Sequence, residues 1–271
     1  MRWIAAIELL RNERRAGVLV TVAATRGHAP REAGAKMVVA ADRAWGSIGG
    51  GNLEETAVAR ARVMLDTGVA SAEQLTLGLT DKARTDHGRQ CCGGEVSVLL
   101  EPLPVVPSVA IFGVGHVGLE LARILARHDL DLHLVDSRAN QLTDERLGCL
   151  ADGEARLRVH HSPVPELALG AVPPGTHVLV MTHDHAEDFA LCDAALRCRE
   201  LGSIGLIGSG AKWARFRSGL VTEGHDEEAI GRIRSPIGTS AVAGKEPATI
   251  AVSVAAELLA SFAAARSRTD A

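Results

Sequence analysis

The chain has no tyrosine in 271 residues and only four lysines, Lys36, Lys82, Lys212 and Lys245. This shortage rules out the proton relay of short-chain dehydrogenases, which pairs a tyrosine with a lysine. Five cysteines, an odd number, do not close into a disulfide framework and read as thiols. An excess of positive charge is missing as well. The formal net charge is −4, with 13 Lys+Arg against 12 Asp+Glu up to Pro104 and 16 against 21 beyond it. Neither half has the basic surplus of a nucleic-acid or acidic-membrane binder. No segment reaches the ~18 uninterrupted apolar residues of a membrane span, and the opening MRWIAAIELLRNERR runs into charges before a secretion signal's apolar stretch is complete. The expectation is a cytoplasmic protein that partners neither nucleic acid nor membrane.

What is present divides at PLPVVPS (102–108), where three prolines in seven residues read as a short, stiff linker. On its N-terminal side, residues 1–104, Trp3, Ile7 and Leu10 have helical spacing. VLVTVAATR (18–26) and AKMVVAA (35–41) read as a hairpin with an oversized loop, GHAPREAG, and EQLTLGL (73–79) and VSVLLEPL (96–103) as two more strands. Between them Gly49-Gly50-Gly51 opens a helix with Leu53, Ala57, Ala61 and Met64 on one side. Its first turn offers backbone N–H groups to a ligand, while Glu54 and Glu55 there also suit the helix dipole, a purely structural role. Beyond the linker, residues 105–271 alternate strands and helices, which calls for a doubly wound parallel sheet. The fold class is α/β, a C-terminal Rossmann-like domain with a smaller N-terminal α+β domain. A last helix from about Pro247 to Ala265 aligns Ile250, Val254, Leu258 and Phe262.

In the second domain Phe112-Gly-Val-Gly-His-Val-Gly118 follows an apolar strand and opens a helix, and Asp136 closes the next strand. Gly113 permits the tight turn, Gly115 lets backbone meet a phosphate, Gly118 brings helix against strand, and Asp136 is placed to accept from a ribose hydroxyl. The turn suits a dinucleotide such as NAD(P), and an oxidoreductase is the first hypothesis it raises. His183 and His185 leave the carboxyl end of a later strand, the edge where such sheets bind ligands. They either contact ligand or help to cap the following helix. The HxHxDH pattern of dinuclear zinc hydrolases fails here, because Glu187 and Asp188 stand where that pattern has Asp and His.

Cys91 and Cys92 are adjacent and precede Gly93-Gly94. Zinc sites separate paired cysteines by two to four residues, so this is not zinc spacing. On a strand the two side chains point to opposite faces, and converge only if the backbone turns. They are either half-buried packing residues or a reactive pair.

Taken together the sequence resembles the XdhC/CoxI family of accessory proteins for xanthine dehydrogenase. The likeness rests on Thr25–Met37, Gly46–Glu54, Gln90–Gly94, the Gly113–Gly118 turn, Met181–His185, Gly205–Ser209, Ser235–Gly238 and Gly244–Ser253. It departs from the family pattern after Gly208-Ser209, where only Lys212 supplies a cation. The resemblance implies a non-catalytic chaperone that binds the molybdenum cofactor (molybdopterin), shields it while a cysteine desulfurase replaces an oxo ligand by sulfido, and delivers it to apo xanthine dehydrogenase. It also implies a homodimer. The cofactor holds molybdenum through two dithiolene sulfurs and ends in a phosphate. A soft thiolate from Cys91 or Cys92 suits the metal, and Gly113, Gly115, His116 and Gly118, with Asp136, His183 and His185, are the expected cofactor-binding residues. A cleft between the domains would hold both ends. NAD(P)-dependent oxidation at the same turn is the alternative.

Overall fold

The computed structural model describes residues 1–79 and 93–267. The chain forms two compact units, Met1–Val105 with the chain's end from Ala263, and Val106–Phe262.

In the first unit the sheet has one helix on each face. α1 (Trp3–Asn12) buries Ala6 and Leu10 against Val38 and Ala40. β1 (Gly17–Arg26) turns Val18, Val20 and Val22 to the other face, and β2 (Lys36–Val39) pairs with it antiparallel, Val20 opposite Met37. β3 (Ala44–Gly46) follows, then α2 (Gly51–Thr67), β4 (Glu73–Gly78) and β5 (Glu95–Leu103). The strand order is β3-β2-β1-β5-β4, antiparallel throughout. α2 lays Leu53, Ala57, Ala61 and Met64, the stripe expected from the sequence, onto Val18, Val20, Val98 and Leu100. Removing a side chain the size of Leu53 or Met64 from water stabilises the fold by about 1.5–3 kcal/mol. β3 was not anticipated, and β5 takes in Pro102, where the expected strand 96–103 and the expected linker 102–108 overlap. Proline is tolerated there because β4's pairing with β5 ends at Leu100, leaving an unpaired edge beyond it.

The second unit is a six-stranded parallel sheet of β6 (Ser108–Phe112), β7 (Asp131–Asp136), β8 (Arg156–His161), β9 (His177–Val180), β10 (Ser203–Leu206) and β11 (Ile233–Arg234). Its order is β11-β10-β9-β6-β7-β8. Numbered within the unit from β6, that is 6-5-4-1-2-3, the doubly wound arrangement expected. β6 and β7 are buried along their whole lengths, as strands covered on both faces must be. One face carries α3 (His116–Leu125) and α8 (Pro247–Ser267), through Leu121, Leu125, Val254, Leu258 and Phe262. The other carries α5 (His185–Arg197) and α6 (Gly210–Thr222), through Leu191, Leu196, Phe216 and Leu220. Two single-turn helices, α4 (Asp144–Leu147) and α7 (Glu227–Ile230), sit in connections. α8 is long and apolar enough to cross a membrane by length and composition, but Val254, Leu258 and Phe262 pack it into the sheet's core. The late motif segments lock this unit together. Ile237 lies over Gly205, where an added Cβ would meet its Cγ2 at 2.5 Å, and the Ser253 hydroxyl donates to the Thr239 carbonyl at 2.9 Å.

Candidate functional site

The strand order reverses between β6 and β9, and the connections leaving their carboxyl ends diverge to opposite faces of the sheet. That opening is where such sheets take ligands. After β6 the backbone turns through Gly113, whose φ is +102°. An added Cβ there would run into the Met181 carbonyl and lie 2.6 Å from the Thr182 Cα, so the turn is wedged directly against the end of β9. Gly118 faces the Gly113 carbonyl just as closely, which lets α3 start tight against its strand. Gly115 differs. A Cβ there would meet only the Arg138 Nη2, at 4.0 Å. α3 begins at this open position with no side-chain cap and no acidic residue in its first turn, and His116 is exposed beside it. Its leading N–H groups are available to an anionic acceptor.

Asp136 is placed as expected at the end of β7 but performs another task. Its Oδ2 accepts from the Val114 N–H at 2.7 Å and Arg138 Nη2 at 3.1 Å, and its Oδ1 from the Arg138 N–H and Nε at 2.9 Å each. The residue is 3% exposed. Burial pushes its carboxyl up most strongly, yet the Arg138 guanidinium and the two backbone N–H groups outweigh it and hold the group below the usual carboxylate range. Asp136 therefore pins the glycine turn and orients Arg138, and both its oxygens are spent before any ribose arrives. Arg138 was not singled out from the sequence. Its place two residues after the strand-ending acid was the available signal.

His183 and His185 flank the start of α5. The cap itself is Asp184, whose Oδ1 accepts from the Ala186 and Glu187 N–H groups at 2.6 and 3.1 Å, so neither histidine caps the helix. His183 Nδ1 lies 3.8 Å from Glu187 Oε2, and the Ser137 hydroxyl donates to Glu187 Oε1 at 2.6 Å, linking the ends of β7 and β9. His185 Nδ1 is 3.2 Å from Arg215 Nη2. A guanidinium only donates, so Nδ1 is the bare nitrogen and Nε2 carries the proton. In this state His185 presents an N–H, a hydrogen-bond donor and not a metal-ligating lone pair. Lys212 is also committed: its ammonium pairs with buried Asp188 and donates to the Ile207 carbonyl at 2.9 Å. Among the described residues no group of three His, Cys, Asp or Glu side chains is placed to hold a metal.

In the first unit the glycine loop before α2 carries its own anion. Glu54 Oε2 accepts from the Ser47 hydroxyl at 2.6 Å and from the Ile48 and Gly50 N–H groups at 3.1 and 3.2 Å. The structural role of Glu54 is thus the one realised, and the loop's N–H groups are already engaged. The 27–34 loop packs on it, with Pro30 Cγ 2.5 Å from where a Gly49 Cβ would stand. Gly94 in turn lies against the Arg26 and His28 carbonyls, while the Gly93 N–H donates to the Leu79 carbonyl at 3.0 Å. Gly93 and Gly94 thus meet the 27–34 loop, and that loop meets Gly49, at one end of this sheet's strands. Cys91 and Cys92 lie outside the described residues. Of the described thiols Cys149 is exposed, Cys198 half-buried and Cys192 buried.

Fold and site together define a Rossmann-type domain whose glycine turn leads into the uncapped start of α3, joined to a smaller antiparallel α+β unit. The XdhC Rossmann domain family matches residues 109–258, and the XdhC and CoxI family matches residues 10–77. The chain belongs to the XdhC and CoxI family. It is 28% identical over 246 residues to an uncharacterized protein of Escherichia coli K12, YqeB, which covers 87% of this chain and 41% of that protein. The chain thus spans less than half the length of that relative. A crystal structure described as a xanthine dehydrogenase from Bacillus halodurans matches with a TM-score of 0.50 and 19% identity, over 97% of this chain and 96% of that one. At that identity the likeness speaks to the fold.

Proposed function

We propose that the protein serves the maturation of xanthine dehydrogenase, taking the molybdenum cofactor as cargo, shielding it while a cysteine desulfurase renews its sulfido ligand, and releasing it to the apo enzyme. Membership of the XdhC and CoxI family supports an accessory role over a catalytic one. The observation that carries the reading is the open start of α3, where uncapped N–H groups, Gly115 and the Arg138 guanidinium stand together. A phosphomonoester, the cargo's terminal group, fits such a seat. The His185 Nε2–H adds a donor for an oxygen of the cargo. Cys91 and Cys92 remain the proposed thiolate ligands on the strength of the sequence, since sulfur suits molybdenum and zinc spacing is absent. A carrier has to release what it binds, so docking to the target must offset its affinity for free cargo. The active form is proposed to be a cytoplasmic homodimer.

The strand order and glycine turn also favour a second reading, NAD(P)-dependent oxidoreduction, with His183 or His185 as proton donor. One experiment separates the two. The protein is purified from cells that make molybdopterin and assayed together for molybdenum, oxidised-pterin fluorescence and nicotinamide. Metal and pterin in equal amounts support the carrier, and nicotinamide alone supports the oxidoreductase. Unchanged molybdenum content in both Cys91→Ser and Cys92→Ser removes the thiolate ligands from the proposal.

A further inference from the structure

We infer that Arg138 is the specificity-determining residue of the switch-point site, and that the group it selects beside the glycine turn is a phosphomonoester and not a ribose diol. This rests on the carboxyl edge of the parallel sheet being the ligand site, as the proposed function does, but not on the ligand holding molybdenum.

The residue ending the second strand of such a unit decides what sits next to the turn. A free carboxylate accepts two hydroxyl protons from a ribose, whereas a nearby arginine accommodates a phosphate. In this chain the carboxylate is present and spent. Four donors converge on Asp136, from Val114 and from the Arg138 N–H, Nε and Nη2, and the side chain is almost wholly buried. Seating a diol there would strip it of donors it already holds in a desolvated place, and nothing would be gained in exchange. The Asp136 clamp acts instead on the guanidinium. By engaging Nε and Nη2 it fixes the plane of Arg138, while Nη1 enters no hydrogen bond among the described residues. The guanidinium side chain is 30% exposed, and its Nη2 stands 4.0 Å from the point where a Gly115 side chain would begin. The group at the rim of the turn is therefore a pre-oriented cation, already freed of much of its rotamer entropy.

The neighbouring charges are consistent with a single phosphate. Glu187 is the other carboxylate acting on Arg138, and its Oε1 accepts from Ser137 while Oε2 faces His183. Lys212 is turned inward to Asp188. Arg146 also reaches the turn, but its Nη2 donates to the Val114 carbonyl at 3.3 Å and its Nε to the Gln141 carbonyl at 3.4 Å. Arg138 is thus the cation that faces Gly115, and a group with three acceptor oxygens can take its Nη1 together with the leading N–H groups of α3. Two ligand chemistries supply that group, the terminal phosphate of a pterin cargo and the 2′-phosphate of a dinucleotide.

The test titrates the full chain with two matched pairs: NADPH against NADH, and the oxidised fluorescent pterin of the cofactor with its phosphate against the same pterin after phosphatase treatment. The phosphorylated member of at least one pair is expected to bind about tenfold tighter or more. Arg138→Ala brings that preference to within about twofold, and Arg138→Lys, which keeps a cation beside Asp136 without the fork, retains part of it. Far-UV circular dichroism and a thermal melt confirm that each variant is folded. A preference confined to the pterin pair assigns the phosphate to the cargo. A preference confined to the nicotinamide pair keeps the inference and removes the carrier reading. Equal binding within both pairs, a preference that survives in Arg138→Ala, or no binding by the folded wild type overturns the inference. Molybdenum that co-purifies regardless leaves the proposed function standing alone.

Discussion

Asp188, in the first turn of α5, and Lys212, in the first turn of α6, form an ion pair that ties the connection after β9 to the connection after β10. The side chains are 1% and 10% exposed. Asp188 Oδ1 also accepts from the Thr182 N–H and hydroxyl at 3.0 and 2.8 Å, so the carboxylate fixes the backbone leading into His183 and His185. Lys212, the cation that follows Gly208-Ser209, is thus a strut beneath the ligand edge. Buried pairs offset a large desolvation cost, so removing one partner costs more than removing both.

Lys212→Met is therefore expected to lower stability by about 3–5 kcal/mol by stranding the Asp188 carboxylate. Combined with Asp188→Asn, the loss should fall short of the sum of the single losses by about 1 kcal/mol or more. Urea unfolding of the four proteins in this cycle measures the difference. Strict additivity would show that the two groups do not depend on each other.

Much of this architecture was legible in the sequence. The stripe Leu53, Ala57, Ala61 and Met64 read as one buried helix face and is one, and the alternation of strands and helices after the linker gave the parallel sheet. What escaped lacked a pattern. β8 is an exposed edge, RLRVHH, with no apolar run to announce it, β11 has two residues, and β3 has three, ending in glycine. At the site, local spacing placed Gly113, Gly115, Gly118 and Asp136 correctly, because the turn and the strand end are local features. The employment of Asp136 was not legible. Whether its carboxylate is free depends on how Arg138 folds back and on the Val114 N–H, 22 residues earlier, meeting it. The same holds for Glu54, whose residue type suited either a ligand loop or a self-satisfied one.

That self-satisfaction has a pH signature. Burial pushes the Glu54 carboxyl up most strongly, but the Ser47 hydroxyl and the Gly50, Ile48 and Gly49 N–H groups together hold it below its ordinary value of 4.5. The folded state favours the carboxylate, so its contribution is complete above the unfolded pKa and is lost as pH falls through the lower folded one. Glu54→Gln should cost about 1–3 kcal/mol at pH 7. Denaturation series from pH 7 down to about pH 3 should show the gap from wild type narrowing below the ordinary value. A gap that stays constant with pH would mean that the carboxylate's charge plays no part in holding the loop.

The glycine turn makes a paired prediction, because Gly113 and Gly115 serve different ends. Alanine at position 113 would need φ near +102° and would strike the Met181 carbonyl. A loss of about 3 kcal/mol or more is expected for Gly113→Ala. Gly115 has φ −73° and open space before Arg138, so Gly115→Ala should leave stability unchanged or raise it by up to about 1 kcal/mol. Its methyl group intrudes on the phosphate seat, and affinity for a phosphorylated ligand should fall about tenfold. Thermal melts and ligand titrations of the two variants read both effects. A Gly115→Ala variant that binds as wild type would place the phosphate elsewhere.

Thiol chemistry gives the last test, since the three described cysteines differ sharply. Burial, reinforced by the Asp188 charge and only partly countered by Lys212, pushes the Cys192 thiol up to about 12. The thiolate is the reactive form, so Cys192 should resist iodoacetamide at pH 8 until the chain unfolds. Cys149 is exposed and should label quickly, with half-buried Cys198 slower. In a Cys149→Ser, Cys198→Ser background the remaining native-state labelling reports Cys91 and Cys92. Protein loaded with molybdenum cofactor should then lose label at one or both of those positions, read by peptide mass mapping, while Cys192 stays silent in both states. Equal labelling of loaded and unloaded protein would mean that neither sulfur touches the metal, and the cargo would be held through its phosphate and pterin alone.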